Sequence, residues 1–413
     1  MPAPLHSSSS SPTACSPTAP SSASVPGVPV HRSQRGEVAP FIVMDILGRA
    51  LERQSTHGDA LLLCVGQPST GAPSPVVAQA ETAVREDILG YTAASGTPEL
   101  KEAIAGYYRR RYGVEVDPRR ILITTGSSGG FTSLFLAVCD AGDEVVLARP
   151  GYPAYRNVLQ ALGVKLVEID VTDPEHGFQL RVEDLEACTP RPRAVIVTSP
   201  SNPSGTVMDP AELRRLAQWC DENGVVLISD EIYHGISYGA ECRSAAEFTD
   251  RAVIVGSVSK YFSMTGWRVG WLIVPPELVE PLDRLHANFT VCPPALSQQA
   301  AVKAFDHAAL EELDAHVQRY ARNREILLTR LPAMGLGRIA PADGAFYCYV
   351  DVSSITADSF RFAHELLDAT GVAVAPGVDF DPVQGQRWIR LSYACDTDDI
   401  EAAMDRLEAY IRA

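Results

Sequence analysis

The sequence predicts an α/β protein, a seven-stranded and mainly parallel sheet with helices on both faces, joined to a smaller α+β domain. Three observations carry this. Between about 120 and 275, short β-branched runs recur at 121–124, 144–148, 165–169, 194–198, 225–229, 252–256 and 270–274. Most are continuous apolar blocks, the pattern of strands covered on both faces. Helical periodicity separates several of them, and alternating strand and helix builds a parallel sheet, because each crossover must carry the chain back to the same edge. After about 295 the pattern changes to long amphipathic segments and scattered strands outside that alternation.

The elements follow in order. Residues 129–139 place Phe131, Leu134, Phe135 and Val138 on one helical face. The helix after Asp209 has a capping box of Asp209 with Glu212, Pro210 at its first position and Gly224 beyond its end. The strand at 270–274 is reached through a short segment with no room for a crossover helix, which predicts an antiparallel edge strand. Beyond it come amphipathic segments to Arg330, an alternating strand at 345–350, a helix near 360–367, strands at 372–375 and 388–391, and a closing helix to Ile411. Residues 38–65 are expected to join this second group. The division is a Ser/Pro/Ala-rich tail over 1–32, a large domain over 71–295, and a small domain from 33–70 plus 296–413.

Composition bounds the function. The 413 residues, 46% of them hydrophobic, suit a globular protein of one large or two ordinary domains. A net charge of -16, from 35 basic and 51 acidic residues, disfavours a nucleic-acid or anionic-membrane partner, since both need a basic face. The nine cysteines form no Cys-x-x-Cys pair and have no histidine placed to complete a zinc site, so no metal is expected. They read as reduced thiols in a cytoplasm, with Cys139 and Cys220 acting as small buried hydrophobes. The tail lacks the charged and apolar regions of a signal peptide and is expected to be disordered. No apolar stretch reaches the ~20 residues of a membrane helix.

Open α/β sheets bind ligands at the carboxyl ends of their strands. After 121–124 comes Gly126-Ser127-Ser128-Gly129 opening a helix, whose free N–H groups make an anion site. After 144–148 comes the aromatic Tyr152. Ser199-Pro200-Ser201-Asn202-Pro203-Ser204-Gly205 follows 194–198, and Asp230-Glu231-Ile232-Tyr233 follows 225–229. After 252–256 runs Ser257-Val258-Ser259-Lys260-Tyr261-Phe262-Ser263-Met264-Thr265-Gly266-Trp267-Arg268. There an amine can condense with an aldehyde, hydroxyls and a guanidinium can hold a phosphate, and Gly266 lets the chain turn between them. Singly these are turns, caps and surface charges; together they crowd one edge of one sheet.

Over roughly 35–410 the chain resembles the class I/II aminotransferases among the fold-type I pyridoxal phosphate enzymes, on the Ser-x-Ser-Lys run and Gly266-Trp267-Arg268. The resemblance implies pyridoxal 5'-phosphate as cofactor, with Lys260 forming the internal aldimine, Asp230 pairing with the pyridine nitrogen, Tyr233 and Asn202 bonding the phenolic oxygen, and Tyr152 stacking on the ring. It gives the phosphate to Ser127, Ser128, Ser257 and Arg268. Tyr91, in Tyr91-Thr92-Ala93-Ala94-Ser95-Gly96, matches the tyrosine that reaches the neighbouring subunit's phosphate, which implies a homodimer with shared sites. Arg390, in Trp388-Ile389-Arg390-Leu391-Ser392, matches the arginine that grips the substrate α-carboxylate, and Gly66 the glycine that closes over it. One departure concerns the substrate: the dicarboxylate-specific relatives of one subgroup place an arginine shortly before a Pro-Pro pair, whereas Leu285-His286-Ala287-Asn288-Phe289 precedes Pro293-Pro294 here and Arg284 lies too early. This speaks against that route to aspartate or glutamate and leaves open the different routes of other subgroups.

The expected activity is a cytoplasmic aminotransferase moving an amino group from an L-amino acid to a 2-oxo acid by ping-pong half-reactions. Its rivals are a β-eliminating carbon–sulfur lyase of the same fold and a non-catalytic ligand-responsive regulator. The regulator would need a DNA-binding module, and the tail is too short and the charge of the wrong sign.

Overall fold

The computed structural model describes residues 31–413; residues 1–30, most of the expected tail, lie outside the described residues. Helix α1 (Ile42–His57) leads through β1 (Leu61–Leu62) to α2 (Ser74–Glu86) and α3 (Pro98–Tyr112). The alternating region then runs β2 (Ile121–Thr125), α4 (Gly126–Val138), β3 (Glu144–Arg149), α5 (Pro153–Leu162) and β4 (Lys165–Asp170). It continues with α6 (Val182–Glu186), β5 (Ala194–Thr198), α7 (Pro210–Asn223), β6 (Val226–Asp230), β7 (Val253–Ser257) and β8 (Val269–Ile273). Helices α8 (Pro276–Phe289), α9 (Ala295–Val302) and α10 (His307–Ala333) precede β9 (Tyr347–Asp351), α11 (Ser359–Thr370), β10 (Val372–Ala373), β11 (Ala375–Pro376), β12 (Trp388–Ser392) and α12 (Thr397–Arg412).

The seven expected strands form one sheet in the order β2-β8-β7-β6-β5-β3-β4. Strands β3 to β7 pair in parallel, and β8 is antiparallel to both its neighbours. The expectation of an antiparallel strand holds, but its edge position does not: β8 lies between β2 and β7, with all five residues buried. Its uniformly apolar Val-Gly-Trp-Leu-Ile is what an interior strand needs. The consequence matters for the site. Strands β2, β3, β5, β6 and β7 end at one edge of the sheet, and the reversed β8 begins there, which brings Arg268 to the same rim.

Both faces are covered, which explains the unbroken apolar runs. Leu122, Val145, Leu147, Ile196, Ile228, Val255 and Leu272 cluster with Phe131, Leu134 and Phe135 of α4 and Leu282 of α8. Their alternate neighbours Ile121, Ile123, Val146, Val195, Leu227, Ile254 and Trp271 belong to a second cluster that includes Leu213 and Leu216 of α7 and extends into the C-terminal elements. A wholly buried side chain such as Phe135 stabilises by about 1.5–3 kcal/mol relative to exposure.

The C-terminal elements build a three-stranded antiparallel sheet, β11-β12-β9, while β10 pairs in parallel with β1. The single strand expected at 372–375 is thus two, serving different partners on either side of Val374. The strand expected from 345 starts at Tyr347, because Ala345 has a left-handed φ of 54° and cannot be extended. None of the described helices is long and apolar enough to cross a membrane.

Helix α7 is capped as its sequence requires: Asp209 Oδ1 accepts from the N–H groups of Ala211 (2.7 Å) and Glu212 (3.3 Å), and Gly224 ends the helix at φ 66°. The reciprocal half of the expected box is absent, because Glu212 accepts instead from the N–H of Val182 (2.7 Å), at the start of α6. Asp209→Ala should therefore cost about 1 kcal/mol, read as a lower denaturation midpoint with unchanged slope; an unchanged midpoint would refute the cap.

Candidate active site

The rim offers an anion cradle first. Helix α4 begins directly at the end of β2, so the N–H groups of its first turn point out of the sheet edge with the positive end of the helix dipole behind them. Gly126 sits at φ 68°, and a Cβ there would collide with the Arg268 guanidinium, so a glycine is required for the cation to lie against the helix start. Arg268 itself is left-handed at φ 55° and donates from Nη1 to the Thr265 carbonyl (3.0 Å). The tight turning falls on Ser263 and Arg268, both at positive φ, rather than on Gly266, which lies in the short 3-10 turn Thr265–Trp267. Ser127 and Ser128 face the cleft, as do Ser259 and Thr265. Ser257 stands behind them, buried, its hydroxyl 2.9 Å from that of Ser259 and 3.1 Å from the Val269 carbonyl.

Asp230, the last residue of β6, is 1% exposed. Its Oδ1 accepts from the Ile232 N–H (3.1 Å) and its Oδ2 from the Tyr155 hydroxyl. Burial pushes its carboxyl up to about 6, against the pull of these donors and of the Lys260 charge. Lys260, just past β7, donates from Nζ to the Gly66 carbonyl (2.6 Å). Burial first, then the charges of Arg390 and Arg268, bring its amine down to about 8, opposed by Asp230. Both residues line one cleft with Tyr152, Asn202, Tyr233, Arg268, Gly66 and Arg390.

Arg390, on β12, is 3% exposed and makes no ion pair among the described residues. Nη1 donates to Asn202 Oδ1 (2.7 Å), Nη2 donates to the Cys64 carbonyl (2.6 Å), and Nε has no partner. Its guanidinium carbon lies 4.3 Å from the ring centroid of Tyr347 and 4.6 Å from that of Phe380. A buried cation resting on aromatic faces with a donor to spare fits an incoming carboxylate. The Tyr233 hydroxyl is 2.6 Å from that of Tyr347, and burial holds it well above the usual phenol range. Gly66 must be glycine, since a Cβ would collide with the Tyr347 hydroxyl.

Two sequence-predicted residues do not line this cleft: Ser257, expected at the phosphate, is buried behind Ser259 with its hydroxyl bonded to Ser259 and Val269, and Tyr91 lies elsewhere. Tyr91 is 87% exposed and lies with Thr125, Thr290, Cys292 and Pro293 around a separate, shallow depression. The sequence reasoning missed Tyr155, Tyr347, Ser259 and Thr265. Tyr155 could have been found, because it follows Tyr152 by one helical turn and so shares its face. Tyr347 carries no local signal.

Comparisons with known proteins bear on this arrangement. A family model described as aminotransferase class I and II matches residues 58–407. The valine–pyruvate aminotransferase of Mycobacterium tuberculosis is 52% identical over 379 residues, covering 91% of this chain and 97% of that protein. A crystal structure of an aminotransferase from Mycobacterium tuberculosis superposes with a TM-score of 0.90 at 50% identity, covering 92% of this chain and 99% of that one. The aspartate aminotransferase of Thermus thermophilus, solved with maleate, gives 0.87 at 33% identity, over 92% and 99%. The chain belongs to the class I and II aminotransferases. Its fold is that of these enzymes, and its reaction is amino transfer.

A base whose pKa is lowered is neutral, and nucleophilic, at any pH above the lowered value. In the cofactor-free protein, acylation of Lys260 by a limiting amine reagent, followed by peptide mass spectrometry, should therefore rise with pH to a midpoint near 8. Exposed lysines should keep rising to roughly pH 10.4. A Lys260 midpoint matching theirs would contradict the burial argument.

Proposed function

We propose that the cofactor is pyridoxal 5'-phosphate and that the enzyme moves the amino group of an L-amino acid to a 2-oxo acid in two ping-pong half-reactions. The observation that carries this reading is one cleft lined by a partly buried amine, a buried carboxylate, a cationic helix start and a spare buried guanidinium. The residues fit the group chemically. Ser127, Ser128 and Arg268 would hold the phosphate with the α4 N–H groups, and Ser257 would brace Ser259 beside them. Tyr152 would cover the ring face, Asn202 and Tyr233 would donate to the phenolic oxygen, and Asp230 would face the ring nitrogen. When bound, the group supplies an electron sink for the carbanion left at the substrate α-carbon.

The chain's own residues do the rest. Arg390 binds the α-carboxylate, with Gly66 backing it, and so fixes the α-carbon relative to Lys260. Asp230, ionised and shielded from water, favours a protonated ring nitrogen; its Tyr155 and Ile232 donors stabilise that ionised form. Lys260, neutral above about 8 before any ligand binds, takes the proton from the α-carbon and returns it one position along.

The name of the Mycobacterium tuberculosis relative makes valine and pyruvate the pair to test first. The reading includes a homodimer with shared sites. Support comes from Val84, Ile88, Tyr91, Phe289 and Val291, large apolar residues left exposed on α2, the segment after it and the end of α8, beside the depression around Tyr91. It also includes a cytoplasmic location, resting on cysteine usage and charge, and a small domain of 33–70 plus 296–413 beside a large one of 71–295, resting on the β1–β10 pairing.

Lys260→Ala, loaded with pyridoxal 5'-phosphate, should lose turnover by at least about 100-fold while keeping its fold by circular dichroism. The wild-type protein given an amino donor alone should release one equivalent of 2-oxo acid and stop. Near wild-type turnover in Lys260→Ala would reject the assignment.

A further inference from the structure

The reading above leaves the donor's side chain open. The cleft that holds Lys260 and Arg390 is also lined by Phe41, Val43, Met44 and Val65. Its cations are Lys260, Arg268 and Arg390, and each already has a partner in the proposed chemistry. A second carboxylate on the donor would find no cation among the described lining residues.

Phe41, Val43 and Met44 belong to the start of α1. Val43 is 4% exposed and Met44 is 53% exposed, so this one turn runs from buried wall to open mouth. The Phe41 ring packs edge-on against Tyr152, centroids 5.9 Å apart. The turn is not capped by its own sequence, since its N-cap residue is the apolar Phe41. Asp379 does this from far along the chain. One of its oxygens accepts from the Ile42 N–H and the other from the Val43 N–H, each at 3.1 Å. A carboxylate in this place meets both the orphan donors and the helix dipole.

Asp379 is itself fixed. It is 3% exposed, its carbonyl accepts from Arg156 Nη2 (3.0 Å), and the carbonyl of the next residue, Phe380, accepts from the Gly151 N–H (3.1 Å). Phe380 is one of the two rings on which the Arg390 guanidinium rests. The apolar turn and the carboxylate grip are therefore set against each other through two adjacent residues. We propose that Asp379 is a positioning residue for donor specificity: it holds the first turn of α1 as an apolar wall at a set reach from Arg390, so that the site selects uncharged aliphatic side chains and turns away acidic ones. This rests on the Arg390 and Lys260 roles proposed above.

The test uses the full-length, cofactor-loaded enzyme and two variants, Asp379→Ala and Met44→Arg, with Asp379→Asn as the conservative control. Wild-type kcat/KM should be at least about tenfold higher for L-norvaline than for L-alanine, the range a hydrophobic pocket gives for added methylenes, and L-aspartate should fall below both. Asp379→Ala should cut the L-norvaline value about tenfold, mainly through KM, leave L-alanine within about twofold, and speed hydrogen exchange at Ile42 and Val43; Asp379→Asn should be intermediate. Met44→Arg should shift the preference toward L-aspartate. Calorimetry with unreactive acids gives a readout apart from turnover: 4-methylpentanoate should outbind glutarate in wild type, with the gap narrowed in both variants. Equal losses for all donors in Asp379→Ala, or a wild-type preference for L-aspartate, would overturn the inference while leaving amino transfer standing. An enzyme that binds neither acid and turns over no donor would remove the Arg390 reading and this one with it.

Discussion

Three ionisable side chains meet at one rim of the sheet, Asp230 and Arg390 buried and Lys260 partly so, and the rest of the site is arranged around the cost of keeping them there. Taking an ion out of water costs several kcal/mol even after relaxation, and the cost is recovered only by good partners. Asp230 recovers part of it from the Tyr155 hydroxyl and the Ile232 N–H, and Lys260 from the Gly66 carbonyl. Arg390 recovers part from Asn202, Cys64 and two aromatic faces. None of the three is matched to a neutralising partner at hydrogen-bond distance. A molecule with an aldehyde, a ring nitrogen and a phosphate, followed by one with a carboxylate, would complete what the protein leaves open.

The fold makes that arrangement affordable by rigidity. Parallel strands buried on both faces place Asp230 at the end of β6 and carry the chain along the adjacent β7 to Lys260 just beyond it, so backbone pairing sets where both side chains start from. Reversing β8 between β7 and β2 delivers Arg268 to the same rim, beside the start of α4. The C-terminal sheet supplies Arg390 from the other side. It is tied across by Arg149, whose guanidinium pairs with Asp381 (2.8 Å) and, more loosely, Asp170 (3.3 Å), and by Arg156, which pairs with Glu168 while bonding the Asp379 carbonyl. These bonds fix the distance between the carboxylate grip and the amine, which catalysis by positioning requires.

What could be read in the sequence was whatever is local. The apolar strand runs, the Asp209 cap and the segments after each strand end depend on neighbours in the chain, and those elements are present at or near the expected residues. Where the reading failed, a distant partner had decided. Glu212 bonds Val182 instead of closing its own capping box, the run at 372–375 divides because β1 and β12 each claim half, and β8 is interior because β2 folds back to cover it. The same holds at the site. Lys260, Asp230 and Arg268 sit in patterns that announce themselves, whereas Tyr347 and Asp379 matter only through Gly66, Tyr233, Ile42 and Val43, to which no sequence spacing links them.

The account stands on Asp230 and Lys260 acting from the two sides of one bound ring. Its most direct test is Asp230→Asn, which keeps size and most hydrogen bonding but removes the charge that would keep a ring nitrogen protonated. The variant should still bind pyridoxal 5'-phosphate covalently at Lys260, seen by absorbance and by mass, while the half-reaction with amino donor, followed by stopped flow, slows by more than about 100-fold. A variant that takes up the cofactor and runs that half-reaction at the wild-type rate would contradict the account.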